Sequence, residues 1–249
     1  MNIYVVNILV AVITAVVSFL LGSIPTAVLI GKAFFHKDVR DYGSKNAGGT
    51  NAGRVFGKKV GIIVIILDMI KTILPFYVAW AVLTYSSLNG YMVWGNGYFA
   101  APLYYWLAPL FCALGHCYSP FLHFKGGKAV ACFMGVNVLT SWIEFVLCGF
   151  TYLGVAKASK YISLSSIIAA IVGSVVAWGV AIIAVTVPWN PHWLTWLITI
   201  EEAPFLGIEF AIVDTIISVL LVLRHRSNIQ RLRQGTESIN PFSKEYSSK

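Results

Sequence analysis

Long runs of apolar residues, bounded by glycine, proline or charge, divide this chain more clearly than any turn signal. They lie near residues 3–30, 60–84, 98–115, 129–155, 161–187 and 205–223. A helix needs about 20 apolar residues to cross a bilayer at 1.5 Å per residue, and five of the six runs predict ordinary single spans. The fourth has a polar centre, Thr140-Ser-Trp-Ile-Glu144, with Lys125 and Lys128 before it and Lys157 and Lys160 after it. Basic flanks favour the cytoplasmic side, so this run is expected to go out and back as two short helices of about 13 residues each, with Glu144 at the outer turn. The pattern predicts an all-α integral membrane protein, a bundle of seven transmembrane segments in one domain spanning residues 1–249.

Charge orients the bundle. Of the 18 Lys and Arg residues, 17 fall in 32–59, 125–128, 157–160 or 224–249, whereas the stretches near 85–97 and 187–204 contain none. The N-terminus is therefore expected outside and the C-terminus in the cytoplasm. Glu144, Glu201 and Glu202 then fall on or near the outer face, and Trp94, Trp189, Trp193 and Trp196 occupy the outer loops as an interfacial aromatic belt. Only 11% of residues are charged and the mean hydropathy is +0.77, too apolar for a soluble core. The net charge of +8 forms no continuous patch, which argues against a nucleic-acid partner. Cys112, Cys117, Cys132 and Cys148 form no CxxC and read as small hydrophobes rather than metal ligands or disulfide partners. The N-terminal run lacks a basic n-region and a small-residue cleavage site, so it reads as a retained helix.

Three polar elements carry the candidate chemistry. Gly43-Ser-Lys-Asn-Ala-Gly-Gly-Thr-Asn-Ala-Gly-Arg54 interleaves four glycines with hydroxyls, amides and two cations, offering bare N–H groups and positive charge to an anion. The second, Gly115 to Lys128, ends in Lys125-Gly-Gly-Lys128 at the start of a helix, where free N–H groups, the helix dipole and two ammonium groups converge. The third, Arg224-His-Arg-Ser-Asn-Ile-Gln-Arg-Leu-Arg-Gln-Gly-Thr-Glu237, follows the last span. Basic residues at helix ends also attract anionic lipid whatever the function, but three such clusters on one face point to a phosphate site. No Walker loop, HExxH or paired inner-face carboxylates occur, so the site is expected to act by positioning and charge stabilisation. Lys71 lies within a span with Asp68 three residues before it, either as a structural ion pair or with Lys71 pointing into a polar cavity. Asp214, in the last span, reads the same way.

Gly22-Ser-Ile-Pro-Thr26, Gly43-Ser44 through Thr50-Asn51 and Arg54, Leu67-Asp-Met-Ile-Lys71, Gly115-His116 through Lys128, and His225-Arg-Ser-Asn228 with Arg231-Leu-x-x-Gly235-x-Glu237 occur in this order. Together they resemble the bacterial acyl-phosphate-dependent glycerol-3-phosphate acyltransferase family. The resemblance implies a seven-helix inner-membrane fold with its motifs on the cytoplasmic side. It also implies acyl transfer from acyl phosphate to the sn-1 hydroxyl of glycerol 3-phosphate, giving lysophosphatidic acid without coenzyme A, metal or other cofactor. Carried over by position, Ser44, Arg54, Lys128 and His225 are the catalytic set. Gly43, Asn46, Thr50, Asn51, Gly126, Gly127 and Asn228 bind substrate, with Asn51 shaping the loop and His116 structural at a helix end. His225 as a general base is the alternative to a hydrogen-bonding role, since the family's catalysis is described as substrate-assisted. This chain has Lys45 and Ala129 where the family usually has glycine. Two other readings stay open: an acyl-CoA-using HxxxxD-type acyltransferase, on His36 and Asp41, and a small-anion or lipid-headgroup transporter.

Overall fold

The computed structural model describes residues 2–94, 98–99, 101–186 and 208–240. The first apolar run, expected as one span, is two helices: α1 (Ile3–Ser23) and α2 (Thr26–Phe35). The break falls at Ile24-Pro25, where proline has no N–H to give and drives its predecessor out of helical geometry, here to φ −57° and ψ 116°. A short α3 (Gly49–Phe56) then leads into α4 (Lys58–Tyr85), which carries Pro75 internally. α5 (Ala101–Cys117) follows a two-residue hairpin in which Val93 pairs with Phe99 and Trp94 with Tyr98.

The split expected in the fourth run is present: α6 (Val130–Thr140) and α7 (Trp142–Ser159) meet at Ser141, as 11 and 18 residues rather than two equal halves. α8 (Ile162–Thr186), α9 (Ile208–Arg224) and the polar α10 (Arg226–Arg233) complete the described chain. Among the described residues, three stretches are long and apolar enough to cross a membrane, namely Ile3–Phe35, Lys58–Tyr85 and Ile162–Thr186. Their outward faces carry Ile8, Val12, Ile63, Val175 and Ile182, side chains that water would reject and hydrocarbon accepts.

Helix α1 lies along α5, α4 packs on α5 and α6, and α7, α8 and α9 pack in series. The α1–α5 crossing is close because both helices present glycine. A Cβ on Gly22 would fall 2.0 Å from the Cys112 carbonyl oxygen, and one on Gly115 would fall 2.0 Å from that of Phe19. The core between α4, α5 and α9 is aromatic, with Trp106 at 4.8 Å from Phe76 and 5.7 Å from Phe210, centroid to centroid. All four cysteines are free and buried.

Two acidic residues depart from expectation. Glu144 sits beside the α6–α7 turn, yet its side chain folds inward with no exposure, accepting from Asn137 and, at 2.8 Å, from the Thr140 hydroxyl. Asp214 is equally buried and accepts from Ser174 at 3.1 Å. Polar side chains from neighbouring helices supply hydrogen bonds to both, which offsets part of the cost of burial. Trp189, Trp193, Trp196, Glu201 and Glu202 lie outside the described residues, as does the side chain of Trp94.

Candidate active site

One cavity of about 350 Å³ opens where the three polar elements meet. Nine of the eleven residues singled out from the sequence line it: Gly43, Ser44, Asn46, Thr50, Asn51, Arg54, Lys128, His225 and Asn228. The other two, Gly126 and Gly127, stand directly behind Lys128. Their carbonyls accept from Arg224 at 3.1 and 3.2 Å, and their N–H groups donate to Cys117 and His116 carbonyls. A Cβ on Gly126 would meet the His116 carbonyl oxygen at 2.1 Å, so only glycine lets this strand lie against the end of α5. Arg224 also stacks over Tyr118, which fixes its guanidinium away from the cavity.

Asn51 organises the first loop. Its Nδ2 donates to the carbonyls of Val39, Asn46 and Tyr42 at 2.8, 2.9 and 3.1 Å, while its Oδ1 accepts from the Ser44 N–H at 2.8 Å. At 1% exposure it replaces the water these groups would otherwise need. Ser44 is thereby held at the cavity mouth, and the first turn of α3, with Gly48 as N-cap, turns its positive dipole end to the same space. Lys45 lies on this rim in left-handed geometry, φ 56°, a conformation that suits glycine better than lysine.

A hydrogen-bonded chain crosses the opposite wall. Lys128 Nζ donates to Asn228 Oδ1 at 2.6 Å, and Asn228 Nδ2 donates to Glu237 Oε1 at 2.6 Å. Glu237 also accepts from Ser163 at 2.9 Å and from Arg231 at 2.7 Å. Burial opposes ionisation of Glu237, but donors from Asn228, Arg231 and Ser163 outweigh it and hold the carboxyl below its ordinary value. Lys128 is pushed down to about 8, chiefly by burial and further by Arg231, Arg54 and Arg224, against the opposing pull of Glu237. His225 falls to about 4 through burial and repulsion by Lys128. Its Nδ1 lies 2.8 Å from the Leu221 carbonyl, which can only accept, so Nδ1 carries the proton and Nε2 keeps a lone pair.

The sequence reading gave no role to Glu237 beyond its place in a motif, and none to Ser163, Ser166 or Tyr152, which also line the cavity. A lone acid after a run of arginines was the available signal for Glu237; the two serines sit in an apolar run and gave none. Asp68 lines the cavity, whereas Lys71 pairs with it at 2.7 Å and turns to the Ile24 carbonyl at 3.1 Å. His36 and Asp41 are exposed and do not line the cavity. The remaining wall is apolar, formed by Ile65, Val130, Ala131, Met134 and Ile162. The cavity thus combines anion-binding groups with apolar ones.

Known proteins resemble this chain over most of its length. The family described as glycerol-3-phosphate acyltransferase matches residues 12–235. A glycerol-3-phosphate acyltransferase of Staphylococcus haemolyticus is 35% identical over 231 residues, covering 91% of this chain and 96% of the relative. One from Levilactobacillus brevis is 37% identical over 235 residues, covering 93% and 94%. Among solved structures, the glycerol 3-phosphate form of PlsY (YgiH), an integral membrane glycerol 3-phosphate acyltransferase, superposes with a TM-score of 0.70 at 28% identity, covering 92% of this chain and 94% of that one. Its lysophosphatidic acid form gives 0.68 at 27%. A match that runs through all three polar elements and nearly the whole chain is one of common descent: this chain belongs to the glycerol-3-phosphate acyltransferase family.

Proposed function

We propose that this protein transfers a fatty acyl group from acyl phosphate to the sn-1 hydroxyl of glycerol 3-phosphate, forming lysophosphatidic acid and inorganic phosphate for phospholipid synthesis. The observation that carries the reading is a single cavity lined both by Arg54, Lys128 and the start of α3 and by apolar side chains such as Met134 and Ile162. A substrate pair made of small phosphorylated alcohol and long acyl chain needs both kinds of lining. The relatives named for glycerol 3-phosphate supply the acceptor's identity.

In this mechanism Ser44, Arg54 and Lys128 hold substrate phosphate, with Thr50, Asn46 and the first turn of α3 around it. The sn-1 oxygen attacks the acyl carbonyl carbon, the bond from that carbon to the phosphate oxygen breaks, and the hydroxyl proton ends on the departing phosphate. Acyl phosphate is a mixed anhydride with a good leaving group, so orientation and charge stabilisation carry most of the rate. His225, neutral with Nε2 as acceptor, hydrogen-bonds the attacking hydroxyl, and Asn228 sets the height of Lys128.

For topology we infer one domain of seven membrane segments: α1 with α2, then α4, α5, α6, α7, α8 and α9. The N-terminus lies outside and the cavity faces the cytoplasm of a bacterial inner membrane, where the acyl tail stays in lipid. The one-sided distribution of Lys and Arg supports this orientation. The test is purified protein in detergent with glycerol 3-phosphate and either acyl phosphate or acyl-CoA, following phosphate release and lysophosphatidic acid. Product from acyl phosphate alone is expected. Turnover only with acyl-CoA, abolished by His36→Ala, would move the assignment to the HxxxxD group; uptake of labelled anion into vesicles without acyl transfer would make the protein a transporter.

A further inference from the structure

Asp68 places a second carboxylate, besides the Arg231-paired Glu237, in the wall of a cavity that gathers Arg54 and Lys128. It is 2% exposed and lines the same space as Ser44, Arg54 and Lys128. An unmasked negative charge about 10 Å from a bound phosphate, at an effective dielectric of about 20, weakens binding on the order of tenfold for each unit of phosphate charge. Asp68 nevertheless has structural work. Its Oδ1 accepts from the Thr26 hydroxyl at 2.8 Å, at the first residue of α2, and faces His116 Nδ1 at 3.9 Å. The opposite edge of the His116 ring abuts the phosphate loop, since a Cβ on Gly127 would fall 2.0 Å from His116 Nε2.

Lys71 supplies the missing charge from the side away from the cavity. Its Nζ sits 2.7 Å from Asp68 Oδ1 and 3.1 Å from the Ile24 carbonyl oxygen, at the break between α1 and α2. The break set by Pro25, the middle of α4, the end of α5 and the loop carrying Lys128 are therefore joined through this one pair. We propose that Lys71 is a counter-ion for Asp68, cancelling its charge so that the carboxylate can anchor Thr26 and face the His116–Gly127 contact without repelling substrate phosphate. Both are positioning residues for the reaction proposed above, and the inference rests on that reading.

The test separates charge masking from a merely structural ion pair. Glycerol 3-phosphate binding to the purified full chain in detergent is measured by calorimetry, without acyl donor, for wild type, Lys71→Met, Asp68→Asn, the double variant and Lys71→Arg. Lys71→Met is expected to bind at least about tenfold more weakly, and Asp68→Asn as well as wild type or better. The double variant should recover to within about threefold of wild type, because both charges are gone. Lys71→Arg should match wild type. A double variant as weak as Lys71→Met, or an Asp68→Asn protein weaker than wild type, overturns the proposal. Should Lys71→Met fail to fold, the Asp68→Asn comparison decides alone. Wild type that binds glycerol 3-phosphate without forming lysophosphatidic acid overturns the acyltransferase reading and leaves the counter-ion test intact, whereas normal turnover with the wrong variant pattern does the reverse.

Discussion

Lys128 makes the cavity sensitive to pH. With its value lowered to about 8 by burial and by neighbouring arginines, it is cationic below that pH and loses its charge as pH rises through it. A bound dianion favours the charged form, so the effect appears in KM before kcat. The KM for glycerol 3-phosphate is expected to stay flat from pH 6.5 to 7.5 and climb above 8, and Lys128→Arg should shift that climb upward. Steady-state kinetics across pH would detect it. His225, at about 4, stays neutral throughout this range, so kcat/KM should show no acid limb near 6.5. Loss of Glu237 would strand three donors at once, because Asn228, Arg231 and Ser163 all donate to it. Glu237→Ala is expected to destabilise by about 1–3 kcal/mol and to free Lys128 from its register; thermal unfolding in detergent and KM would report the two effects. Glu237→Gln, which keeps an acceptor for Asn228 and Ser163, should lose less.

The sensitive contacts between elements are backbone against backbone. Gly126→Ala drives a Cβ to 2.1 Å from the His116 carbonyl, so the loop must leave the end of α5 and carry Lys128 with it. Gly127→Ala meets the edge of the His116 ring instead, and a side chain yields more easily than a helix backbone. Both should raise KM without removing any charge, the first more than the second, with folded yield by gel filtration close to wild type. At the α1–α5 crossing the same substitution acts on the bundle itself. Gly115→Ala brings a Cβ to 2.0 Å from the Phe19 carbonyl, and loss of folded protein rather than a change in KM is the expected outcome.

The orientation of the bundle can be read with thiol chemistry, because the four native cysteines are buried and leave a low background. A membrane-impermeant maleimide should label Lys45→Cys and Lys157→Cys in inside-out vesicles and spare them in intact cells; the opposite pattern would invert the proposed topology. The apolar runs, the split in the fourth of them and the three polar elements were legible in the chain itself, because hydropathy is a local sum and glycine, serine and lysine announce anion chemistry wherever they cluster. Ser44, Arg54, Lys128 and His225 could be proposed as one site before their meeting was seen. The order of residues did not decide where side chains would find partners. Glu144 looked like an outer-turn acid and is buried against Asn137 and Thr140, Lys71 turns from the cavity while Asp68 faces it, and Ser163 reaches Glu237 from an apolar helix. Such choices depend on which helices become neighbours, and that is set by packing across the whole bundle: in the low dielectric there a buried carboxylate such as Glu144, Asp68 or Glu237 takes partners from whichever elements are packed beside it.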